Sequence, residues 1–233
     1  MGGESSNMKK RLCSFTLVEL LVVMAIMAML LYIATPAFEK MAKGGGSELA
    51  ARNIYNYLSL SRNYAITNRQ FVAVLFPMKG STDYPSSGIP SNYYNSSYRA
   101  CLVKLNGSNY EFVRWIPGET WQFLPTGTII LDAGKDKDDD PVTNNSERND
   151  DIDSSGLIDK VNFSDLSGGS SSVDDVCGII FKPTGDIVGS TRYIEIGEGK
   201  YEGSSLVITN TNPSSLLSIT ISQYTGRISY GRE

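Results

Sequence analysis

The 233-residue chain contains no histidine. That absence excludes His-based catalytic triads, HExxH zinc sites and imidazole general bases. Cysteine is scarce, at three residues, and no CxxC pair occurs. Walker A, GxSxG and Rossmann glycine fingerprints are missing as well. Gly197-Glu198-Gly199-Lys200 is glycine-rich, but without the spacing and Ser/Thr of a phosphate loop it reads as a strand turn. Carboxylates are plentiful, yet no two are paired for acid–base work. Positive charge is not in excess either. Against 25 Asp/Glu stand 21 Lys/Arg, and the net charge of −4 argues against bulk attraction to nucleic acid. These absences together point away from an enzyme.

What the chain does have is distributed unevenly. Lys9, Lys10 and Arg11 precede an apolar stretch from Phe15 to Phe38, in which Thr16, Glu19 and Thr35 are the frankly polar members. As a helix this stretch measures roughly 36 Å, enough to cross a bilayer. The basic residues ahead of it favour a cytoplasmic N-terminus. A secretory signal peptide has a shorter apolar region and a small-residue cleavage site, and neither fits here. A lipobox is excluded because Arg11-Leu12 precede Cys13. Glu19 is the informative residue, because a carboxylate at a membrane span needs a cationic partner. Cleavage between Ser14 and Phe15 would create an α-amine four residues before Glu19. On a helix that amine and the carboxylate share a face, or Glu19 reaches the amine of a neighbouring subunit.

Ser14-Phe15-Thr16-Leu17-Val18-Glu19-Leu20-Leu21 resembles the processing site of type IV prepilins and pseudopilins. In that family a basic leader is cut before a phenylalanine, which is then N-methylated. The resemblance makes Phe15 the mature first residue, Glu19 the assembly glutamate and Pro36 the helix-bending proline. Ser14 stands where the family nearly always has glycine. Met8 offers a start that gives a compact leader, Met-Lys-Lys-Arg-Leu-Cys-Ser.

Beyond Pro36, Gly44-Gly45-Gly46 read as a hinge or a plain loop. A second helical run is expected from Ser47 to about Arg69, with Ala50, Ile54, Tyr57, Leu58, Ser61 and Ala65 on one core-facing side. From Phe71 onward the pattern turns to strands: 71–76, 101–105, 110–116, 127–131, 177–181, 193–196, 206–208 and 216–221. Asn106-Gly107 marks a hairpin. The expected domains are a leader (1–14), a transmembrane and polymerisation helix (15–38), its amphipathic continuation (39–70) and a β-rich body (71–233). This is an α+β layout with a long N-terminal helix packed on antiparallel sheet.

Three further segments resemble the GspH/FimT-type minor pseudopilins: Leu60–Ile66 leading into Phe71–Val74, Phe181-Lys182-Pro183-Thr184-Gly185-Asp186, and Ile219–Ile221 through Gly226-Arg227-Ile228. The resemblance implies a pilin-like fold and a structural subunit of a type II secretion pseudopilus or a type IV pilus. It also implies a prepilin peptidase, an inner-membrane assembly platform and other pilins as partners. The N-terminus would lie in the cytoplasm and the globular domain in the periplasm. Some FimT-like relatives bind DNA during uptake through a Gly-Arg-x-Arg turn. Here Gly226-Arg227-Ile228-Ser229 lacks the second arginine, and Arg232 lies nearby at other spacing. A DNA-uptake subunit and a membrane-tethered adhesin-like module are therefore the competing readings.

Two sites stay open. Cys13 would leave with the leader, so Cys101 and Cys177 remain either as an exported disulfide or as two buried thiols. The segment from Asp132 to Asp153 holds nine Asp/Glu and three Lys/Arg and reads as an acidic insertion reaching to about residue 160. Its bland reading is a solvated loop. Its sharper reading is a calcium site. Asp151, Asp153, Ser155 and Asp159 occupy ligand positions one, three, five and nine of a calcium loop, with Gly156 at six. Asn162 stands at position twelve, where a bidentate glutamate is expected. Residues 81–98 look like a second insertion that the family core does not need.

Overall fold

Leu, Met and Ala make up half of the stretch from Phe15 to Phe38 and favour helix. In the computed structural model the helix α1 runs Leu17–Asn68. The structure describes residues 16–78, 87–134, 156–202, 205–208 and 216–232; at 33–44, 201, 202, 205, 206, 208 and 232 it describes the backbone alone. The boundary between the two compact units of the chain falls between Ala42 and Lys43, inside α1. Gly44–Gly46 are helical, so they do not form the plain loop that was one of their two readings. A packing reason exists at Gly46, where a Cβ would press to 3.1 Å from the Thr128 methyl group. Beyond it, Ala50, Ala51, Ile54, Leu58, Ser61 and Ala65 form the buried stripe, with Tyr57 half-buried beside them.

Among the described residues eleven strands follow: β1 (Val72–Leu75), β2 (Ser97–Asn106), β3 (Asn109–Trp115), β4 (Gln122–Phe123), β5 (Thr128–Asp132), β6 (Leu157–Asp159), β7 (Val176–Phe181), β8 (Arg192–Glu202), β9 (Ser205–Ile208), β10 (Leu217–Ile221) and β11 (Ile228–Arg232). Asn106 pairs with Asn109 across a two-residue loop whose Gly107 has φ +65°. That is the hairpin geometry a right-twisted strand pair requires.

The first sheet closes on itself. β1 pairs with both β2 and β7, β7 with β6, β6 with β3, and β3 with β2. All these pairings are antiparallel except the short parallel contact of β3 with β6. Side chains alternate across this ring, as the period of two demands. Ala73, Leu75, Cys101, Val103, Ile158, Val176 and Ile180 share one core with Ile89, Tyr94 and Phe163. Val72, Val74, Ala100, Leu102, Cys177, Ile179 and Phe181 share the other with the α1 stripe. The second sheet, in the order β11-β10-β8-β5 with β9 on β8, contributes Ile130, Ile194, Ile196, Ile219 and Ile221 to that helix-facing core.

Residues 87–98, within the second insertion read from the sequence, carry a buried tie between strands. Asn95, fully buried at φ +55°, donates its backbone N–H to the Pro77 carbonyl at 2.7 Å. Its own carbonyl accepts from Ile130 N at 2.7 Å, and its Nδ2 donates to the Ile130 carbonyl at 3.0 Å. One asparagine thereby ties the end of β1 to the free side of β5. Residues 157–159, of which Asp159 is the ninth position of the calcium-loop reading, form strand β6. Ile158 pairs with Tyr110 and Val176 in the ring and is fully buried.

Candidate functional site

Ser14 and Phe15 lie outside the described residues, which begin at Thr16. Thr16 and Glu19 form a reciprocal cap on α1. Glu19 N donates to Thr16 Oγ1 at 3.2 Å, while Thr16 N and Thr16 Oγ1 donate to Glu19 Oε2 at 3.1 and 3.0 Å. A threonine at the cap and a glutamate three residues later satisfy two of the amides that a helix start leaves unpaired. Both bonds to the carboxylate end on Oε2.

Following this cap, the helix is apolar on every side. The large apolar side chains from Leu17 to Tyr32 are between 47 and 84% exposed. Soluble helices bury such a surface, so this one needs lipid or other helices around it. Among the described residues no helix is long and apolar enough to cross a membrane. The expected span runs to Phe38, and the side chains of 33–38, Pro36 among them, lie outside the description.

In the β-rich unit, the three segments carrying the family resemblance meet at one arginine. Arg62 donates from Nε to the Gly185 carbonyl at 2.7 Å and from Nη2 to the Thr225 carbonyl at 2.9 Å. The Pro183 turn is closed by Gly185 N donating to Lys182 O at 2.9 Å, and by the Lys182–Asp186 ion pair at 2.7 Å. In the facing turn, Gly226 has φ +58°, and a Cβ there would overlap the Gly185 carbonyl and stand 2.8 Å from Arg62 Nε. Glycine is required twice over, by conformation and by space. Arg62 falls within the Leu60–Ile66 resemblance, but its contacts leave no signal in the sequence, because both acceptors are backbone groups far away along the chain. Arg227 is exposed on the same turn, and Arg232 lies on β11 with its side chain outside the description.

Cys101 and Cys177 do not form the disulfide that was one of their two readings. Both are free and buried. They flank β1, but Cys101 is opposite Ala73 and Cys177 lies beyond the Leu75–Gly178 pair. Their side chains belong to different cores, on opposite faces of the ring. Burial pushes the Cys177 thiol up to about 12 and raises Cys101 as well.

Asp151, Asp153 and Ser155 lie outside the described residues. Asp159 sits on β6, where its Oδ2 accepts from Asn109 Nδ2 at 2.9 Å and its Oδ1 from Asp175 N at 3.4 Å. Among the described residues no group of three His, Cys, Asp or Glu is arranged to hold a metal ion. Nearby, Glu111 accepts from Lys160 Nζ, from Asn106 Nδ2 at 2.8 Å and from Lys104 Nζ at 3.5 Å. These donors, Lys160 foremost, hold its carboxyl down at about 2.

Comparison with known proteins finds the prokaryotic N-terminal methylation motif over residues 9–35. This bears out the resemblance read from Ser14 to Leu21. No curated protein matches the chain. Among solved structures, it is similar to the type IV minor pilin FimU of Pseudomonas aeruginosa, with 12% identity and a TM-score of 0.40 over 79% of this chain and 87% of that one. It is also similar to the minor pseudopilin EpsH from the type 2 secretion system of Vibrio cholerae. One structure of EpsH gives 10% identity and a TM-score of 0.39 over 80% of this chain and 97% of that one. A second gives 12% and 0.40 over 81% and 97%.

Proposed function

We propose that this chain is a minor pilin-like subunit, processed at its N-terminus and built into the filament of a type II secretion system or a type IV pilus. The observation that carries this reading is the methylation motif over residues 9–35 set on a helix with apolar side chains exposed all round from Leu17. A prepilin peptidase cuts between Ser14 and Phe15, and Phe15 is N-methylated. The helix then holds the subunit in the inner membrane, with the β-rich unit in the periplasm. During assembly the apolar helices of like subunits replace lipid as the environment of residues 17–38.

Glu19 has two tasks in this reading. Its Oε2 stays with Thr16 at the helix cap, and its Oε1 receives the methylated amine of a neighbour. In a low-dielectric filament core that charge-assisted bond removes the cost of a bare carboxylate and fixes the axial register of the subunits. The work is assembly rather than catalysis. Mass spectrometry of the mature chain tests the reading directly. An N-methylated Phe15 at the terminus is expected, and an intact leader with unmodified Phe15 overturns it.

A further inference from the structure

A groove of about 510 Å³ runs between α1 and the turn joining β10 to β11. Tyr55, Ser59, Arg62 and Asn63 line it from the helix, and Gly226 and Arg227 from the turn. It carries two arginines. Arg52, Arg99, Lys104, Lys160 and Lys182 each have a carboxylate partner. Among the described residues neither Arg62 nor Arg227 has one. Arg62 spends Nε and Nη2 on the two turn carbonyls, which locks its guanidinium plane and leaves Nη1 for another acceptor. Arg227 is exposed, and the turn fixes its backbone, with Arg227 N donating to Thr225 Oγ1 at 3.2 Å. The helix side adds a phenol, a hydroxyl and a carboxamide, which both donate and accept.

We infer that this groove is an interface for an acidic peptide segment of a neighbouring protein chain, whose carboxylates pair with Arg62 and Arg227. A planar carboxylate suits a guanidinium held in one orientation. The neutral side chains from Tyr55 to Asn63 suit the amides of a peptide backbone. A nucleic-acid strand presents a continuous row of phosphates and needs a matching row of cations. This groove supplies two. The chain itself shows that segments of the required kind exist, since residues 135–153 hold eight Asp/Glu against three Lys/Arg. The inference does not depend on the filament reading, because binding to the groove is measured on the single chain.

The probe is a fluorescent peptide of residues 135–153, titrated by anisotropy against the full-length chain in neutral detergent. The wild type should bind it, more weakly as salt rises. Arg227→Gln should weaken binding about ten-fold, the effect of one charge-assisted hydrogen bond. Arg114→Gln, the same charge change at an exposed position of β3, should leave it unaltered. A peptide with every Asp and Glu replaced by Asn and Gln should not bind. Failure of the wild type to bind overturns the inference, as does an equal effect of both arginine substitutions. Tighter binding of a single-stranded oligonucleotide of matched length reassigns the groove to nucleic acid and also overturns it.

Discussion

The Arg62 guanidinium donates to the Gly185 carbonyl at 2.7 Å and so joins the long helix to a turn 123 positions along the chain. Its second bond, to Thr225, extends the tie to the last hairpin. The helix, the β7–β8 connection and the β10–β11 turn therefore share one fastening. Hydrogen bonds from a charged donor contribute about 1.5–3 kcal/mol each, and a half-buried arginine feels part of that. Arg62→Ala should lower stability by about 2 kcal/mol, which for a unit of this size shifts Tm by about 4–8 °C. Arg62→Lys should recover less than half, because an ammonium lacks the fork that reaches both carbonyls. Thermal unfolding followed by circular dichroism checks both values.

Gly226 gives a sharper version of the same test. At Gly226→Ala the new methyl meets the Gly185 carbonyl, a backbone atom that cannot rotate away, at a φ of +58°. A loss of about 3 kcal/mol or more is expected, combining left-handed strain with displacement of the Arg62 bond. Gly107, with φ +65° but open space around it, should tolerate alanine better, at about 1 kcal/mol. Equal losses at the two sites in denaturant titrations would mean that the Gly185–Gly226 approach contributes nothing.

The thiols supply a prediction about redox chemistry. Both cysteines are buried with raised pKa values, and thiolate is the reactive form. Folded, unreduced protein should resist iodoacetamide at neutral pH at both positions. Unfolding without reductant should release both Cys101 and Cys177, as counted by mass spectrometry. Replacing either by alanine should cost core packing alone, about 1–2 kcal/mol, with no change in the reactivity of the other.

How much of this was readable in advance differs from element to element, for physical reasons. The buried stripe from Ala50 to Ala65 is a local periodicity, and β1 and β7 are continuous apolar runs buried on both faces, so the sequence displays all three directly. The ring is not local. It closes through the contact of Tyr110 and Glu111 with Ile158 and Asp159, where two residues a side suffice. Of these, Asp159 drew notice in the sequence for another reason, as the ninth position of a possible calcium loop beginning at Asp151. The contacts of Arg62 left no trace because its partners are main-chain carbonyls, which every residue possesses. Glu19 stood out early because a lone carboxylate in an apolar run demands a partner at any fold. The partner the structure supplies within the chain, Thr16, is a capping role that the spacing of the two residues already permitted.

Glu111 predicts an acid-sensitive contribution to stability. Its folded pKa is depressed from 4.5 to about 2, chiefly by the hydrogen bond from Lys160 and then by Asn106. As pH falls below about 4.5 the unfolded chain takes up the proton first, so the stabilisation is present above that value and is lost towards about 2. The Tm of the wild type should fall across that window more steeply than that of Glu111→Gln, which has no proton to gain. At neutral pH the order reverses, with Glu111→Gln the less stable of the two. Parallel slopes for the two proteins between pH 5 and 2.5 would exclude a role for this cluster.

The last prediction separates the two tasks of Glu19. A glutamine three residues after the cap accepts from the threonine as a glutamate does, so Glu19→Gln retains the cap and loses the charge. Thr16→Val does the opposite, removing the cap at a cost of about 1 kcal/mol while leaving the carboxylate for a neighbour's amine. If assembly depends on the ion pair, Glu19→Gln and Glu19→Ala should both insert in the membrane and fail to enter filaments. Thr16→Val should be incorporated at close to the wild-type level. Immunoblots of sheared filaments against membrane fractions read all three. The reverse pattern, with Glu19→Gln incorporated and Thr16→Val excluded, would assign Glu19 to the start of its own helix and leave the intersubunit contact to the apolar side chains from Leu17 onward.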